Sequence, residues 1–175
     1  MKTVIVGCGR VGAVLAELFD AAGHDVVVID LRTRAFDRLS SSFRGNALRG
    51  DGTDEDTLRR AGAEDADLFL AMTEGDNRNV MATQLAHEAL RAKQVIAKIN
   101  DPVRAKAYAA LGLATICRTN LMADAISRYL DMPVSGEAEI MAPTGSHPGG
   151  DHHLTPAAPA GQATIGSSPA AAREV

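Results

Sequence analysis

Cysteine is scarce in this chain: Cys8 and Cys117 stand far apart, with no C-x-x-C spacing. That removes a dithiol redox pair and a zinc site from consideration. Cys8 reads as a small packed side chain rather than a reactive thiol. No apolar run approaches the roughly 18–20 residues a membrane span needs. Positive charge is not in excess either. The formal net charge is -4, whereas a protein that coats nucleic acid needs clustered Lys and Arg. The first residues pass from a single Lys into "TVIVGCGR", without the small-residue cleavage site of a secretory signal. These absences point to a soluble, intracellular protein with no nucleic-acid partner. Its 175 residues allow one domain of ordinary size.

What is present up to about Leu130 is an alternation of strand and helix signals. Short β-branched or apolar runs recur at Thr3–Val6, Val26–Ile29, Leu68–Ala71, Val95–Ala97 and Ala114–Ile116, with a weaker one at Ala47–Arg49. Between the first two, Val11, Val14, Leu15, Leu18 and Phe19 follow helical spacing and define one apolar face. Gly23 suits a C-terminal cap after Ala22. Asp101-Pro102 reads as an N-cap with proline at the first helical position, opening a helix that Gly112 closes after Leu111. Continuously apolar strands alternating with helices predict an α/β, doubly wound Rossmann-type parallel sheet of about six strands over residues 1–131.

From Met132 the composition changes. Residues 132–175 hold six of the seven prolines and no aromatic residue. Such a segment buries too little apolar surface to offset its ordering entropy, so a flexible Pro/Gly/Ala-rich tail is expected, with a brief strand at "AEIM". The "DHH" of Asp151–His153 is read as solvated residues, and no metal is assigned.

Gly7-Cys8-Gly9-Arg10-Val11-Gly12 matches G-x-G-x-x-G between a strand and an amphipathic helix, the context that gives the motif meaning. Gly7 permits the tight turn, Gly9 lets a phosphate approach the backbone, and Gly12 lets the helix pack closely. The amides at the helix start favour an anion. Asp30, 18 residues after Gly12 at the end of the second strand, suits the two hydroxyls of an adenosine ribose and disfavours NADP. It does not separate NAD(H) from ATP or ADP. Arg32 either lies against the adenine or is a solvated charge. Arg10 either reaches a terminal phosphate or is an exposed first-turn side chain.

"GDGTDEDTLRRAGAEDADLFLAMTEGDNRNV" (residues 50–80) and "QVIAKINDP" (residues 94–102), taken with "GCGRVG" and "VVVID", carry a resemblance. Residues 1 to about 130 resemble the N-terminal nucleotide-binding domain of regulators of potassium conductance, the TrkA family of Trk and Ktr potassium uptake systems. The resemblance implies that Asp51, Gly52 and Thr53 border the adenine. Asp51 either accepts from the adenine amino group or caps the next helix, for which Thr53 or Asp54 would serve equally. It places Thr73 and Glu74 at the carboxyl edge of the sheet, has Asp76 starting a helix, and gives Asn79 the task of holding the loop backbone. Lys98 stands where the family usually carries Arg, and would meet phosphates across the crevice. Thr119 replaces an acidic residue with which some relatives share a cation between subunits. The further ligand-sensing domain common in the family is expected to be absent, leaving only the tail.

No residue pattern suggests catalysis. His24 precedes the second strand and His87 lies on a helix away from the carboxyl edge. The resemblance implies a cytoplasmic regulatory subunit at the inner face of the membrane. It would bind NAD(H) or ATP/ADP, form a dimer or ring, and gate a membrane-embedded Trk/Ktr-type potassium-translocating subunit. The alternatives are a fragment of an NAD-dependent oxidoreductase and a nucleotide sensor for a non-potassium partner. The final helix, Leu121–Leu130, apolar on more than one face, is expected either to pair with a second copy or to pack into the core.

Overall fold

A computed structural model describes residues 1–136 and 140–141. Six strands lie in one parallel sheet: β1 (Lys2–Val6), β2 (Asp25–Asp30), β3 (Asn46–Arg49), β4 (Leu68–Ala71), β5 (Val95–Ile99) and β6 (Thr115–Cys117). Their spatial order is β3-β2-β1-β4-β5-β6. The chain therefore leaves β1 in one direction and, after β3, returns beside β1 to build outward in the other. That reversal opens a crevice at the carboxyl edge between β1 and β4, the usual ligand position in doubly wound folds.

Alternate side chains of the strands feed opposite layers of core, as burial on both faces of a parallel sheet demands. Ile5, Val26, Val28, Leu68 and Leu70 pack with Ala13 and Ala16 of α1 (Arg10–Ala21) and with Ala35 of the 3₁₀ helix Thr33–Arg38. Val4, Val6, Ile29 and Phe69 pack on the other face. Their partners there are Leu58 of α2 (Glu55–Arg60), Ala82 of α3 (Asp76–Gln84) and Ala86 of the π turn that follows it. A third cluster joins Ala97 and Ile99 to Ala105 of α4 (Pro102–Ala110) and to Cys117.

The expected helix punctuation holds. Gly23 has φ +80° after the C-cap Ala22, and Gly112 has φ +96° after α4. The Asp101 carboxylate caps α4, accepting from the N–H groups of Val103 and Arg104. The face assigned to α1 needs correction. Leu15 and Phe19 pack against the core, but Val11, Val14 and Leu18 are exposed, and the buried side is made by Gly12, Ala13 and Ala16. The helix approaches the sheet closely, so that its most buried positions are held by small side chains. The apolar spacing therefore marked the packed side correctly only at Leu15 and Phe19.

The last helix, α5 (Arg118–Tyr129), buries Asp124 and leaves Met122, Ile126 and Tyr129 exposed. Ordinary core packing thus does not account for its apolar side chains. Asp124 instead holds the following segment, accepting from the N–H and hydroxyl of Ser135. Of the strand expected at "AEIM", Met141 is seen, pairing antiparallel with Thr115 on the outer edge of β6. Residues 137–139 and 142–175 of the expected flexible tail, including Asp151–His153, lie outside the described residues. Among those described, no helix is long and apolar enough to cross a membrane, and no cluster of His, Cys, Asp and Glu could hold a metal ion.

Candidate functional site

The turn from β1 into α1 owes its shape to two glycines. Gly7 has φ +102°, and a Cβ there would lie 2.9 Å from the Thr73 backbone nitrogen on the neighbouring β4 loop. A Cβ on Gly12 would sit 1.9 Å from the Gly7 carbonyl oxygen. Both positions are closed to any other residue by the protein itself. Gly9 differs: a Cβ there would meet nothing within 4 Å. Its φ of -78° is open to any residue, so neither packing nor strain calls for glycine. As the N-cap of α1 it sits where glycine is favoured over alanine, and its bare backbone lines a cavity.

That cavity measures about 530 Å³ and opens at the crevice between β1 and β4. Gly7, Gly9 and Arg10 form one wall, Asp30 and Arg32 the end, Gly50 and Gly52 the side, and Thr73 and Glu74 the far rim. Sequence reasoning missed Arg38, from the 3₁₀ helix, and Arg78, from the first turn of α3. Arg38 belongs to no motif, and Arg78, though inside the 50–80 stretch, was given no role there; only the fold carries them to the rim. Four arginines thus face two carboxylates in a chain whose overall charge is negative. The first-turn N–H groups of α1 have no intrahelical acceptor, and no side chain caps them. Field and donors together suit a phosphate.

Asp30 is fixed before any ligand arrives. Its Oδ2 accepts from the Cys8 N–H and its Oδ1 from the Arg32 N–H, both at 2.9 Å. The carboxylate ties the glycine turn to β2, and each oxygen keeps a lone pair for a further donor. Arg32 has its guanidinium 4.0 Å from Asp30 with most of its side chain exposed. The Cys8 amide is therefore engaged inside the protein rather than aimed at an anion. Burial, reinforced by the nearby Asp30 charge, pushes the Cys8 thiol up to about 11, so it is an inert packing group.

Other expected site residues fall elsewhere. Asp51 accepts from both the N–H and the hydroxyl of Thr53, and those bonds hold its carboxyl below the usual aspartate range. The pair forms a local turn outside the cavity lining, and Asp54 caps α2. Gly52 does line the cavity, and a Cβ there would lie 2.1 Å from Val6 Cγ1. Val11 points outward, exposed.

Lys98 is the largest departure. Its side chain is 5% exposed, outside the cavity lining, with its ammonium 3.7 Å from Glu74 Oε1. Burial lowers its pKa, against the opposing pull of Glu74. Glu74 also meets Arg118, at 3.8 Å.

The β4–α3 loop is braced as expected of Asn79, and more thoroughly. Fully buried, Asn79 accepts from the N–H and hydroxyl of Thr73 and donates to the carbonyls of Thr73 and Lys98. Asp76 does more than start a helix: it accepts from the Asn100 backbone and side chain and from the Asp101 N–H, locking the β4 loop to the β5 loop. Thr119 donates to the Asn100 carbonyl.

Comparison with known proteins agrees with this architecture. The TrkA-N domain family matches residues 3–119. The chain is 44% identical over 145 residues to the Trk system potassium uptake protein TrkA of Streptomyces coelicolor, covering 83% of this chain and 65% of that one. It thus spans about two thirds of that relative's length. Among solved structures, the Shewanella denitrificans Kef CTD in AMP-bound form is 26% identical with TM-score 0.62, covering 74% of this chain and 79% of that one. The TrkA-N domain of inner membrane protein ybaL from Escherichia coli shares the fold at TM-score 0.66 and 20% identity, covering 74% of this chain and 96% of that one. A G-x-G-x-x-G turn closed by a β2 aspartate, strand order 3-2-1-4-5-6 and a family match over two thirds of the sequence lead to one statement: the chain belongs to the TrkA-N domain family.

Proposed function

We propose that this protein is a cytoplasmic, nucleotide-binding regulatory subunit of a potassium uptake system, not an enzyme. The observation that carries the reading is the space at Gly9. A backbone left bare toward an arginine-rimmed cleft, where the protein has no steric need for glycine, is a cradle for a phosphate. Adenine nucleotides fit it. The first-turn amides of α1 would hold a phosphate, and the spare lone pairs of Asp30 would hold the ribose hydroxyls, which disfavours a 2′-phosphate. NAD(H) and ATP/ADP share that adenosine half. AMP in the similar Kef structure supports the class. The potassium role rests on the Streptomyces relative's name.

A regulatory domain acts by differential affinity: an assembly shifts only as far as its two states differ in binding energy. About tenfold preference is worth ~1.4 kcal/mol per site, and identical sites in a ring would add. The exposed apolar side chains of α5 support pairing of two copies, through which occupancy would reach a membrane-embedded Trk/Ktr-type potassium-translocating partner. The test is calorimetric titration of AMP, ADP, ATP, NAD and NADH into wild type and Asp30→Ala. Binding to wild type that weakens in the variant is expected, and no binding by wild type would end the proposal. Recovery of a potassium-translocating membrane protein on co-purification tests the partner.

A further inference from the structure

The cations of this chain fall into two groups. Away from the cleft they meet carboxylates: Arg59 reaches Glu55 at 2.8 Å and Glu64 at 2.9 Å, Lys93 reaches Asp67 at 2.6 Å, and Arg91 reaches Asp65 at 3.6 Å. At the cleft they do not. Arg10, Arg38 and Arg78 line it and make no ion pair among the described residues. Two more unpaired arginines stand outside the lining. Arg34 is exposed on the 3₁₀ helix that carries Arg38, where Asp37 is the one carboxylate. Arg49 ends β3 in register with Asp30, exposed, with its Nε 3.3 Å from the Leu31 carbonyl oxygen, and Leu31 itself lines the cleft. Neither position is explained by packing, by an ion pair or by contact with the cavity.

We propose that Arg34 and Arg49 are capture residues: they draw an anionic ligand to the mouth of the cleft and do not touch it once it is bound. The chain as a whole carries a net charge of -4, which repels an approaching nucleotide. Salt limits the reach of each charge to about 10 Å at 0.1 M, so the field met at the mouth is set by the groups that stand there. Guanidinium groups stay protonated at every working pH, and those without a carboxylate beside them keep their full field. A charge that acts from outside the contact surface changes the rate of encounter and leaves the residence time alone. Arg34 and Arg49 therefore favour a charged nucleotide over an uncharged nucleoside at the step of arrival. This inference rests on the nucleotide reading of the cleft, because steering needs a polyanion to steer.

The test is stopped-flow mixing of wild type and Arg34→Gln/Arg49→Gln with N-methylanthraniloyl-ADP, and with N-methylanthraniloyl-adenosine as the uncharged control. Both positions are exposed, so the double variant is expected to melt at the wild-type temperature. Its association rate with the ADP probe is expected to fall about fivefold at ~20 mM salt and less than about twofold at ~0.5 M, where the field is screened. Its dissociation rate, and both rates for the adenosine probe, are expected to stay at the wild-type values. An unchanged association rate at low salt overturns the proposal. So does a faster dissociation of the ADP probe, which would make these arginines contacts, or an equal slowing of the adenosine probe, which would make them structural. Arg49→Glu alone is expected to slow capture further than Arg49→Gln, and equal rates in the two remove Arg49 from the role. Failure of wild type to bind the ADP probe overturns the nucleotide reading and this inference together, whereas binding at equal rates in wild type and variant overturns this inference alone.

Discussion

The carboxyl edge of the sheet is divided in two. Beyond β1 and β2 it ends in open groups: the first-turn amides of α1, the bare Gly9 backbone, and arginines that converge on a cleft. Beyond β4 and β5 the same edge is closed upon itself, because Asn79, Asp76 and Thr119 direct their hydrogen bonds to neighbouring loops. One half leaves donors and cations facing a cleft, while the other half spends its polar groups on neighbouring loops. The contrast teaches that a polar residue at the mouth of this fold is not by that fact a ligand contact. What decides is whether its donors and acceptors are already engaged.

Four substitutions would break or sharpen the contrast, and they are ordered by expected size. Gly12→Ala should be the most damaging, since its Cβ would overlap the Gly7 carbonyl. We expect a loss of at least ~3 kcal/mol, read as the absence of a cooperative transition in thermal unfolding. Asn79→Ala, on the closed side, should cost about 3 kcal/mol in denaturant unfolding by stranding the Thr73 N–H and the Thr73 and Lys98 carbonyls. A loss under about 1 kcal/mol would mean that the loop is braced by something else. Asp30→Ala should affect both properties: ~2 kcal/mol of stability from the orphaned Cys8 and Arg32 amides, and roughly hundredfold in adenosine-nucleotide affinity. Gly9→Ala should have the smallest effect on the fold, about 1 kcal/mol, because its φ suits alanine and its surroundings are open, leaving only the preference of an N-cap for glycine over alanine. The same change should weaken nucleotide binding roughly tenfold. If both stability and affinity stayed level, Gly9 would have no ligand-related reason to be glycine.

The strands and the glycine turn were legible because they depend on neighbours in sequence. Runs such as "TVIV" and "VVVID" identify themselves by β-branched content, and Gly7, Gly9, Gly12 and Asp30 keep a spacing that one strand, one helix and the next strand impose. The expected buried face of α1 failed for a physical reason: apolar spacing cannot report how near a helix lies to its sheet. Asp51 and Thr53 lay in a family-like motif, but the motif could not reveal that they hydrogen-bond each other.

The sequence alone thus determined the order and direction of the elements and the glycine turn, since local spacing and backbone freedom suffice for both. Tertiary structure alone decided which cations meet the cleft and which are buried away from it. Arg38 and Arg78 come to its rim from segments 40 positions apart, while Lys98, at the end of a strand like Asp30, is enclosed and paired with Glu74. Burial and charge pairing are set by everything packed around a residue, and no short stretch of chain contains that information.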